Sequence, residues 1–392
     1  MSYEYPPIGG GGASVAHPLA VNLAAKGHAI DVVTSGMRDL PSTEIIDEIC
    51  VHRVRCLRKH RHYTNTRELL TYVWPAYSKA LSLWKQRKYD INHTHFALPS
   101  GLASYMLYKK TGLPYVITIH GSDVPSYNPD RFRLAHILAR PVWRRIIANS
   151  EKVISASSFL KGLIQKHIDV PVDVIPNGYD PDAEITGLST KENRILVVTR
   201  MFRRKGVQHF VEALAGLDHD WEVVVAGDGP YLPSLEEQAE RVGLNIQFTG
   251  FVQGHTLTEL YETSKIFVFP SIQENFPVVL LEALQAGCAI ITTNAEGCSE
   301  VIDDAGIVTT AESPEEIRAA LKTLMDDDDK ISVYREAARK RVKYFRWSRI
   351  AALYDEVLWN VFFRSSALGT EDSPATEYDE TAVTSDVPIL RL

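Results

Sequence analysis

The chain has 392 residues, 45% of them hydrophobic and 23% charged, with a formal net charge of −7. This is the balance of a globular protein with room for two ordinary domains. No apolar run approaches the ~18 residues that cross a bilayer, no basic-then-apolar leader is read at the start, and Cys50, Cys56, Cys288 and Cys298 lack both zinc-ligand spacing and disulfide-scaffold density. A cytoplasmic protein with reduced cysteines is expected.

Short runs rich in Val and Ile alternate with longer amphipathic stretches, the pattern of βαβ units and a parallel sheet. In the first half the strands are predicted at residues 29–34, 91–95, 115–120, 152–155 and 172–175. Helical periodicity fills 14–26, 66–87, 100–111 and 133–149. The pattern restarts with strands at 194–199, 221–226, 246–249, 266–269 and 289–292. Helices are predicted at 207–214, 232–241, 257–263, 277–286 and 314–326, with a last one near 347–362.

The fold class expected is therefore α/β, with two Rossmann-like domains facing across a cleft. Residues 1–175 form the first domain and 176–346 the second, 347–364 a helix crossing back to the first, and 365–392 a disordered acidic tail. Pro176, Gly178, Pro181 and Gly187 mark the joint. The halves also differ in charge. Residues 1–170 carry 22 Lys and Arg against 12 Asp and Glu, and the remainder 20 against 37, as expected of domains with different partners. The first series lacks an opening apolar strand: the sequence starts as the loop that should follow one. The first domain's sheet is expected to lack its central strand or to keep a stub near residues 2–5, and the native start is expected upstream of Met1.

Four constellations carry chemistry, and all fall at carboxyl ends of strands, where open α/β sheets bind ligands. The glycine run 9–12 precedes a helix, so its amides can approach a phosphate; a plain flexible turn is the bland alternative. Arg200 and Lys205 follow the strand RILVVT, where a guanidinium fork and an ammonium suit a diphosphate. A solvated basic loop would look similar, and Arg203 and Arg204 fit that description. Glu274 lies in the loop after IFVF, and Pro277 fits the first turn of the next helix. Glu282 sits inside that helix among Leu280, Leu281, Ala283 and Leu284. A carboxylate in such company needs donors, and ribose or sugar hydroxyls would serve; a surface glutamate is the commoner fate. His120 ends YVITIH and is followed by Gly121, Ser122 and Asp123, where a structural histidine competes with a ligand-facing one.

The full setting PSIQENFPVVLLEALQAGCAIITT, with EYPPIGGGG, His120-Gly-Ser-Asp, Ile175-Pro-Asn-Gly, Arg200 with Lys205, and Gly227-Asp-Gly-Pro, resembles the retaining glycosyltransferases of the GT-B fold, family four. The likeness spans roughly residues 2–362. It implies that Arg200 and Lys205 bind the donor diphosphate and Glu282 the ribose. It implies that Glu274 holds the transferred sugar, helped by backbone N–H groups near Asn275 and Phe276, and that Pro277 and Val278 at the start of the next helix also line the donor. Gly10, Gly11 and Gly12 would cover the diphosphate, and His120 would lie beside the donor sugar.

No catalytic metal and no cofactor are expected. The triplets Asp218-His-Asp220 and Asp180-Pro-Asp182 are poorly placed for a metal-binding Asp-x-Asp, and the run 326–329 reads as a solvated helix end. The reaction expected is transfer from a nucleoside-diphosphate sugar to a lipid-linked or glycan acceptor by front-side displacement, with no nucleic-acid partner. The rivals are a nucleotide-sugar epimerase and a non-catalytic nucleotide-sugar binding protein. Two basic clusters, Arg53, Arg55, Arg58, Lys59, Arg61 and Arg67, and Arg131, Arg133, Arg140, Arg144 and Arg145, suggest peripheral attachment to an anionic membrane.

Overall fold

The computed structural model describes residues 1–61, 64, 66–127, 133–180, 190–368 and 390–392. Part of the predicted joint (181–189), most of the predicted tail and Arg131 lie outside the described residues. Chain order runs α1 (Ala13–Ala25), β1 (Asp31–Ser35), β2 (Thr43–Ile46), β3 (Ile49–Val54), α2 (Thr66–Gln86), β4 (Asn92–His95), α3 (Leu102–Thr111), β5 (Tyr115–Ile119), α4 (Arg133–Ala148), β6 (Lys152–Ser155), α5 (Ser158–Gln165) and β7 (Val172–Val174). It continues β8 (Glu192–Val198), α6 (Val207–Leu214), β9 (Glu222–Ala226), α7 (Leu232–Arg241), β10 (Gln247–Gly250), α8 (His255–Thr263), β11 (Ser264–Phe269), α9 (Val278–Gln285), β12 (Ala289–Thr293), α10 (Glu296–Ile302), β13 (Gly306–Thr309), α11 (Pro314–Met325), α12 (Asp328–Arg341) and α13 (Trp347–Leu368).

The chain divides into two compact units. The first comprises residues 1–156, 160–178 and 347–392; the second comprises 157–159 and 179–346. In the second unit, six parallel strands run in the order β10-β9-β8-β11-β12-β13. Successive strands run outward in one direction from β8 and in the other from β11. The order reverses between them, which makes the carboxyl ends of β8 and β11 the topological switch point. The strands read IFVF and AIITT rather than alternating, because a parallel sheet buries both faces. Two apolar clusters cover it, one built on Leu280, Leu284 and Phe267, the other on Phe210, Val223 and Leu321.

The first unit has two sheets: β1-β3-β2, and parallel β4-β5-β6-β7. Between β1 and β4 lies the stub expected at the start of the chain. Ser2 forms a parallel bridge with His95 and donates to Val33 O at 3.1 Å, while His95 donates to Met1 O at 2.9 Å. Helix α13 packs on α1, burying Trp347, Ile350, Tyr354 and Leu358 against Leu19, Leu23 and Ile154.

Several elements escaped the sequence. The hairpin β2–β3 turns at Asp47 and Glu48, both with positive φ (47° and 67°); that turn is normally signalled by Asn or Gly. Helix α12 has only Ile331 and Ala338 buried, so it shows no apolar stripe. The acidic run expected as a solvated helix end does close α11 at Asp326, and it also opens α12, with the Asp327 side chain accepting from Lys330 N. Pro277, expected in the first turn of α9, is its extended N-cap residue. Helix α13 extends to Leu368, past the expected boundary, with Trp359 stacked on Phe363 and edge-on to Phe362. The expected tail also ends in order: Leu390–Leu392 pair with the backbone of Ala29, Asp31 and Ile91.

Candidate functional site

Three loops of the second unit meet at the switch point. The loop after β8 carries Arg200 and Lys205; its Met201 amide donates to Asp228 O in the loop after β9, at 2.9 Å. Ile272 N, in the loop after β11, donates to Arg204 O at 2.9 Å. Gly206 (φ +70°) lies against the Pro270 carbonyl, and Gly227 (φ +134°) against that of Thr199. A Cβ at either position would collide with backbone, so glycine is what lets the loops approach.

That approach brings together two residues singled out from sequence. Lys205 Nζ donates to Glu274 Oε1, and both side chains are largely buried. Ser271 Oγ donates to the same oxygen at 3.1 Å. Sequence assigned the lysine to a diphosphate and the glutamate to a sugar; without ligand they neutralise each other. Arg200 is exposed, its guanidinium 5.7 Å from the exposed Phe202 ring. Arg203 and Arg204 are exposed, as a solvated basic loop would be.

Beyond Glu274, Asn275 is buried and its Oδ1 accepts from Ser157 Oγ, of the same unit, at 2.6 Å. Phe276 packs edge-on to Phe345. Pro277 is buried and Val278 exposed where α9 begins, with no side chain capping its first amides. One turn in, Glu282 is half-buried and accepts from Tyr261 OH at 2.8 Å on Oε2. Burial raises its pKa, and the tyrosine bond partly offsets this. It is not a surface glutamate. The donor that sequence sought in a ribose is supplied in part by α8.

In the first unit the glycine run faces a residue the sequence reading passed over. Glu4 Oε2 accepts from Gly10 N and Gly12 N, each at 3.2 Å. A carboxylate thus stands where the loop's amides could meet a phosphate, while Gly11 is exposed with open space around its Cα. Phe96 closes against Gly12 and, 4.5 Å away by ring centroid, against His120. His120 Nε2 lies 3.1 Å from His95 Nδ1, and Asp123 Oδ1 accepts from the amides of His120 and Gly121. The only sequence hint of this role was the His-Gly-Ser-Asp spacing.

Burial lowers the pKa of His120 to about 4 and of His93 to about 3, and lowers His95 too. His120 is therefore neutral near pH 7 and offers a hydrogen bond, not a charge. Burial raises Asp123 to about 6 despite its backbone donors. An unfolded histidine takes its proton near 6.5 and the buried ones only well below, so between those values the unfolded state binds more protons. Stability therefore falls as the pH drops below 6.5. Asp123 acts in the opposite sense between about 6 and 3.8, offsetting roughly one histidine. We expect urea melts to lose roughly 1.4 kcal/mol per pH unit for each uncompensated histidine in that acid window. A stability that is flat from neutral pH down to about pH 5 would show these rings to be solvated.

The basic clusters separate. Arg53 is buried on Glu44 and Pro6 O, Arg58 covers the Tyr3 ring at 4.5 Å, and Arg61 pairs with Asp39. Within this first cluster Arg53 and Arg58 are spent on the fold, bonded to the carbonyls of Pro6, Tyr3, His60 and Arg61, while Arg55, Lys59, Arg61 and Arg67 stay exposed. On α4, Trp143, Ile146 and Ile147 turn inward, while Leu138, Val142, Arg140, Arg144 and Arg145 stay exposed. One trio among the described residues has metal-ligand geometry, Asp31, Cys50 and His52. They are bonded to one another and to Tyr89. Asp31 opens β1, so the trio sits at the opposite end of that strand from the one where ligands bind.

Comparison with known proteins places both halves. The family model "Glycosyl transferases group 1" matches residues 179–341, and "Glycosyltransferase Family 4" matches residues 9–183. An uncharacterised glycosyltransferase of Methanocaldococcus jannaschii is 28% identical over 380 residues, covering 90% of this chain and 95% of its own. A phosphatidyl-myo-inositol mannosyltransferase of Mycolicibacterium smegmatis is 26% identical, covering 79% and 80%. Anabaena HepE, solved with UDP, shares the fold with a TM-score of 0.68 at 17% identity, covering 90% and 98%.

Proposed function

Since the chain belongs to the group 1, family-four glycosyltransferases of GT-B fold, we propose that it transfers a glycosyl group from a nucleoside-diphosphate sugar to an acceptor hydroxyl, with retention at the anomeric carbon and without a metal. The observation that carries this reading is the Lys205–Glu274 pair at the switch point of the second unit's sheet. Departure of a nucleoside diphosphate builds charge on phosphate oxygens. Lys205, the exposed Arg200 and the uncapped amides at the start of α9 are preorganised to meet that charge. When phosphate draws Lys205, Glu274 is released to accept hydroxyls of the transferred sugar. Glu282, held by Tyr261, is set to bind the ribose. We favour front-side displacement, in which Glu274 accepts hydroxyls of the sugar and does not attack it. His120, neutral and hydrogen-bonded, would contact the sugar rather than neutralise phosphate.

The test is a thermal-shift panel of uridine, guanosine and adenosine diphosphate sugars, because a ligand that binds the native state raises its melting temperature. The stabilising donor is then offered with acceptors in excess chelator, and the product anomer is read by NMR. An inverted product, or activity abolished by chelator and restored by magnesium or manganese, would overturn the mechanism. An epimerised donor formed without any acceptor would overturn the transferase reading.

The acceptor we favour is lipid-linked. The basis is the exposed face of α4, where Arg140, Arg144 and Arg145 flank Leu138 and Val142, the composition of an anionic-lipid contact. Flotation with phosphatidylglycerol vesicles should carry wild-type protein at low salt and leave an Arg140→Glu/Arg144→Glu/Arg145→Glu variant behind. If wild type fails to float, the membrane attachment is excluded.

A further inference from the structure

Asp31, Cys50 and His52 come together from two neighbouring strands of the first unit. Cys50 and His52 are two residues apart in β3, so their side chains stand on one face of the sheet. Parallel pairing sets Asp31, the first residue of β1, opposite Cys50. His52 Nε2 lies 3.0 Å from Asp31 Oδ1 and 3.5 Å from Cys50 Sγ, and the three ligand atoms all fall within 4.8 Å of one another. The His52 and Asp31 side chains are only 9% and 10% exposed. Cys50 is half-buried, so an ion can reach the thiol from solvent.

A histidine–aspartate pair needs no thiol beside it. What sets the trio apart from such a pair is its spacing. Zinc takes histidine nitrogen at roughly 2.0–2.1 Å and thiolate sulfur at about 2.3 Å, so a tetrahedral ion holds these two atoms about 3.6 Å apart, and nitrogen and carboxylate oxygen about 3.4 Å apart. The observed 3.5 Å between nitrogen and sulfur matches the first edge, and the 3.0 Å to oxygen is a hydrogen-bond distance that opens slightly to meet the second. The outward atoms of the ligands are already held. Asp31 Oδ2 accepts from Tyr89 OH at 2.6 Å, with the Arg87 guanidinium 3.5 Å away, which leaves Oδ1 turned to the shared point. His52 Nδ1 faces Thr43 Oγ1 of β2 at 3.4 Å, an acceptor for the second ring proton. Partners of this kind fix the rotamer and tautomer of metal ligands.

We propose that Asp31, Cys50 and His52 form a zinc site, with water as the fourth ligand. A mixed sulfur, nitrogen and oxygen set suits Zn2+ over Mg2+ or Ca2+, which take oxygen. On binding, the Cys50 thiol gives its proton to solvent, the His52–Asp31 hydrogen bond opens, and three coordinate bonds form on the ion. Thiolate and carboxylate then offset its two charges. The ion ties the first residue of β1 to β3 and, through Thr43, to the edge strand β2. It takes no part in transfer, because it stands at the amino end of β1 and open α/β sheets bind their ligands at the carboxyl ends.

The experiment uses the full chain without an affinity tag, stripped with chelator. It is titrated with Zn2+ against a chromophoric chelator, and separately with Co2+, whose spectrum reports its ligands. Wild type should take up one equivalent of zinc and melt at a higher temperature with it than without it. With cobalt it should give a sulfur-to-metal charge-transfer band and the visible bands of a tetrahedral ion. Tyr89→Phe should weaken zinc binding about tenfold and keep the sulfur band, whereas Cys50→Ser, which loses a ligand, should weaken it about a hundredfold or more and lose that band. Cys56→Ser should behave as wild type. Melts without zinc establish that each variant folds; should Cys50→Ser not fold, Asp31→Asn, which keeps an acceptor for Tyr89, is read in its place and should weaken zinc binding as strongly. The proposal is overturned if wild type takes up no zinc or gives a cobalt spectrum without the sulfur band. It is equally overturned if the folded ligand variant binds zinc as tightly as wild type.

Discussion

Lys205→Ala should cut turnover about a hundredfold, close to 2.7 kcal/mol in barrier, and should also lower Tm. Arg200→Ala should cut turnover comparably and leave Tm near wild type. The difference follows from where the two cations sit. Arg200 is exposed, so on the proposed reading its removal takes away only transition-state stabilisation. Lys205 is buried on Glu274, so its removal also strands a largely buried carboxylate, at a cost of about 1–3 kcal/mol. The double variant Lys205→Ala/Glu274→Gln should recover the lost stability without recovering turnover, because a neutral amide tolerates the site that an unpaired carboxylate does not. Steady-state kinetics and thermal melts on the four proteins decide the matter. Near wild-type turnover in both single variants would mean that the diphosphate does not bind at the carboxyl end of β8.

The second unit was the more legible half because its signals are of the kind sequence displays. Its strands are continuous apolar runs, and its site residues fall in loops that follow them. Even so, sequence gave Lys205 and Glu274 separate tasks. Nothing in their spacing announces an ion pair, which needs the strand order β8-β11 to bring two distant loops together. Tyr261 was invisible for the same reason: it meets Glu282 across α8 and α9, and a tyrosine in an amphipathic helix looks like any other core residue. In the first unit the hairpin β2–β3 was hidden by its Asp-Glu turn. Of the basic residues beside it, Arg53 and Arg58 do not reach the surface, and a run of arginines does not show that these two are buried against carbonyls and rings. The stub between β1 and β4, a single bridge of Ser2 with His95, was legible in the lack of an apolar run before the glycine loop. That Leu390–Leu392 lie in that place was not, because a three-residue stretch carries no periodicity.

Glu4 shows how a motif can be located correctly and still be incompletely understood. The glycine run was read as a cradle for an anion, and two of its amides do hold one, but the anion is the chain's own carboxylate. A diphosphate reaching those amides must first displace Glu4, since two anions cannot share one pair of donors. The loop's direct role is thereby narrower than the sequence suggests. The cations of the second unit remain the stronger claim to the phosphate charge.

Glu282→Gln should weaken donor binding by about tenfold or more, about 1.4 kcal/mol, with little change in kcat at saturating donor. Glu274→Gln should bind donor nearly as well as wild type and lose about a hundredfold in kcat. The two carboxylates sit one loop and one helical turn apart in sequence, yet their surroundings differ. Glu282 is anchored by Tyr261 and raised in pKa by burial, so it is a fixed acceptor whose bonds to a ribose would be the same in ground and transition states. An interaction of that uniform kind changes affinity, not the chemical step. Glu274 is held by Lys205 and Ser271 and can reach a sugar only when phosphate draws the lysine away. Its contribution therefore grows as charge moves from sugar to diphosphate. Tyr261→Phe should reproduce part of the Glu282→Gln loss, because it frees the carboxylate from its anchor without removing it. Isothermal titration with the stabilising donor and steady-state kinetics on the same preparations separate the two roles. Equal losses of donor affinity in Glu274→Gln and Glu282→Gln would sink the division. A kcat loss confined to Glu282→Gln would reverse it and place the reacting sugar at α9 rather than at the loop before it.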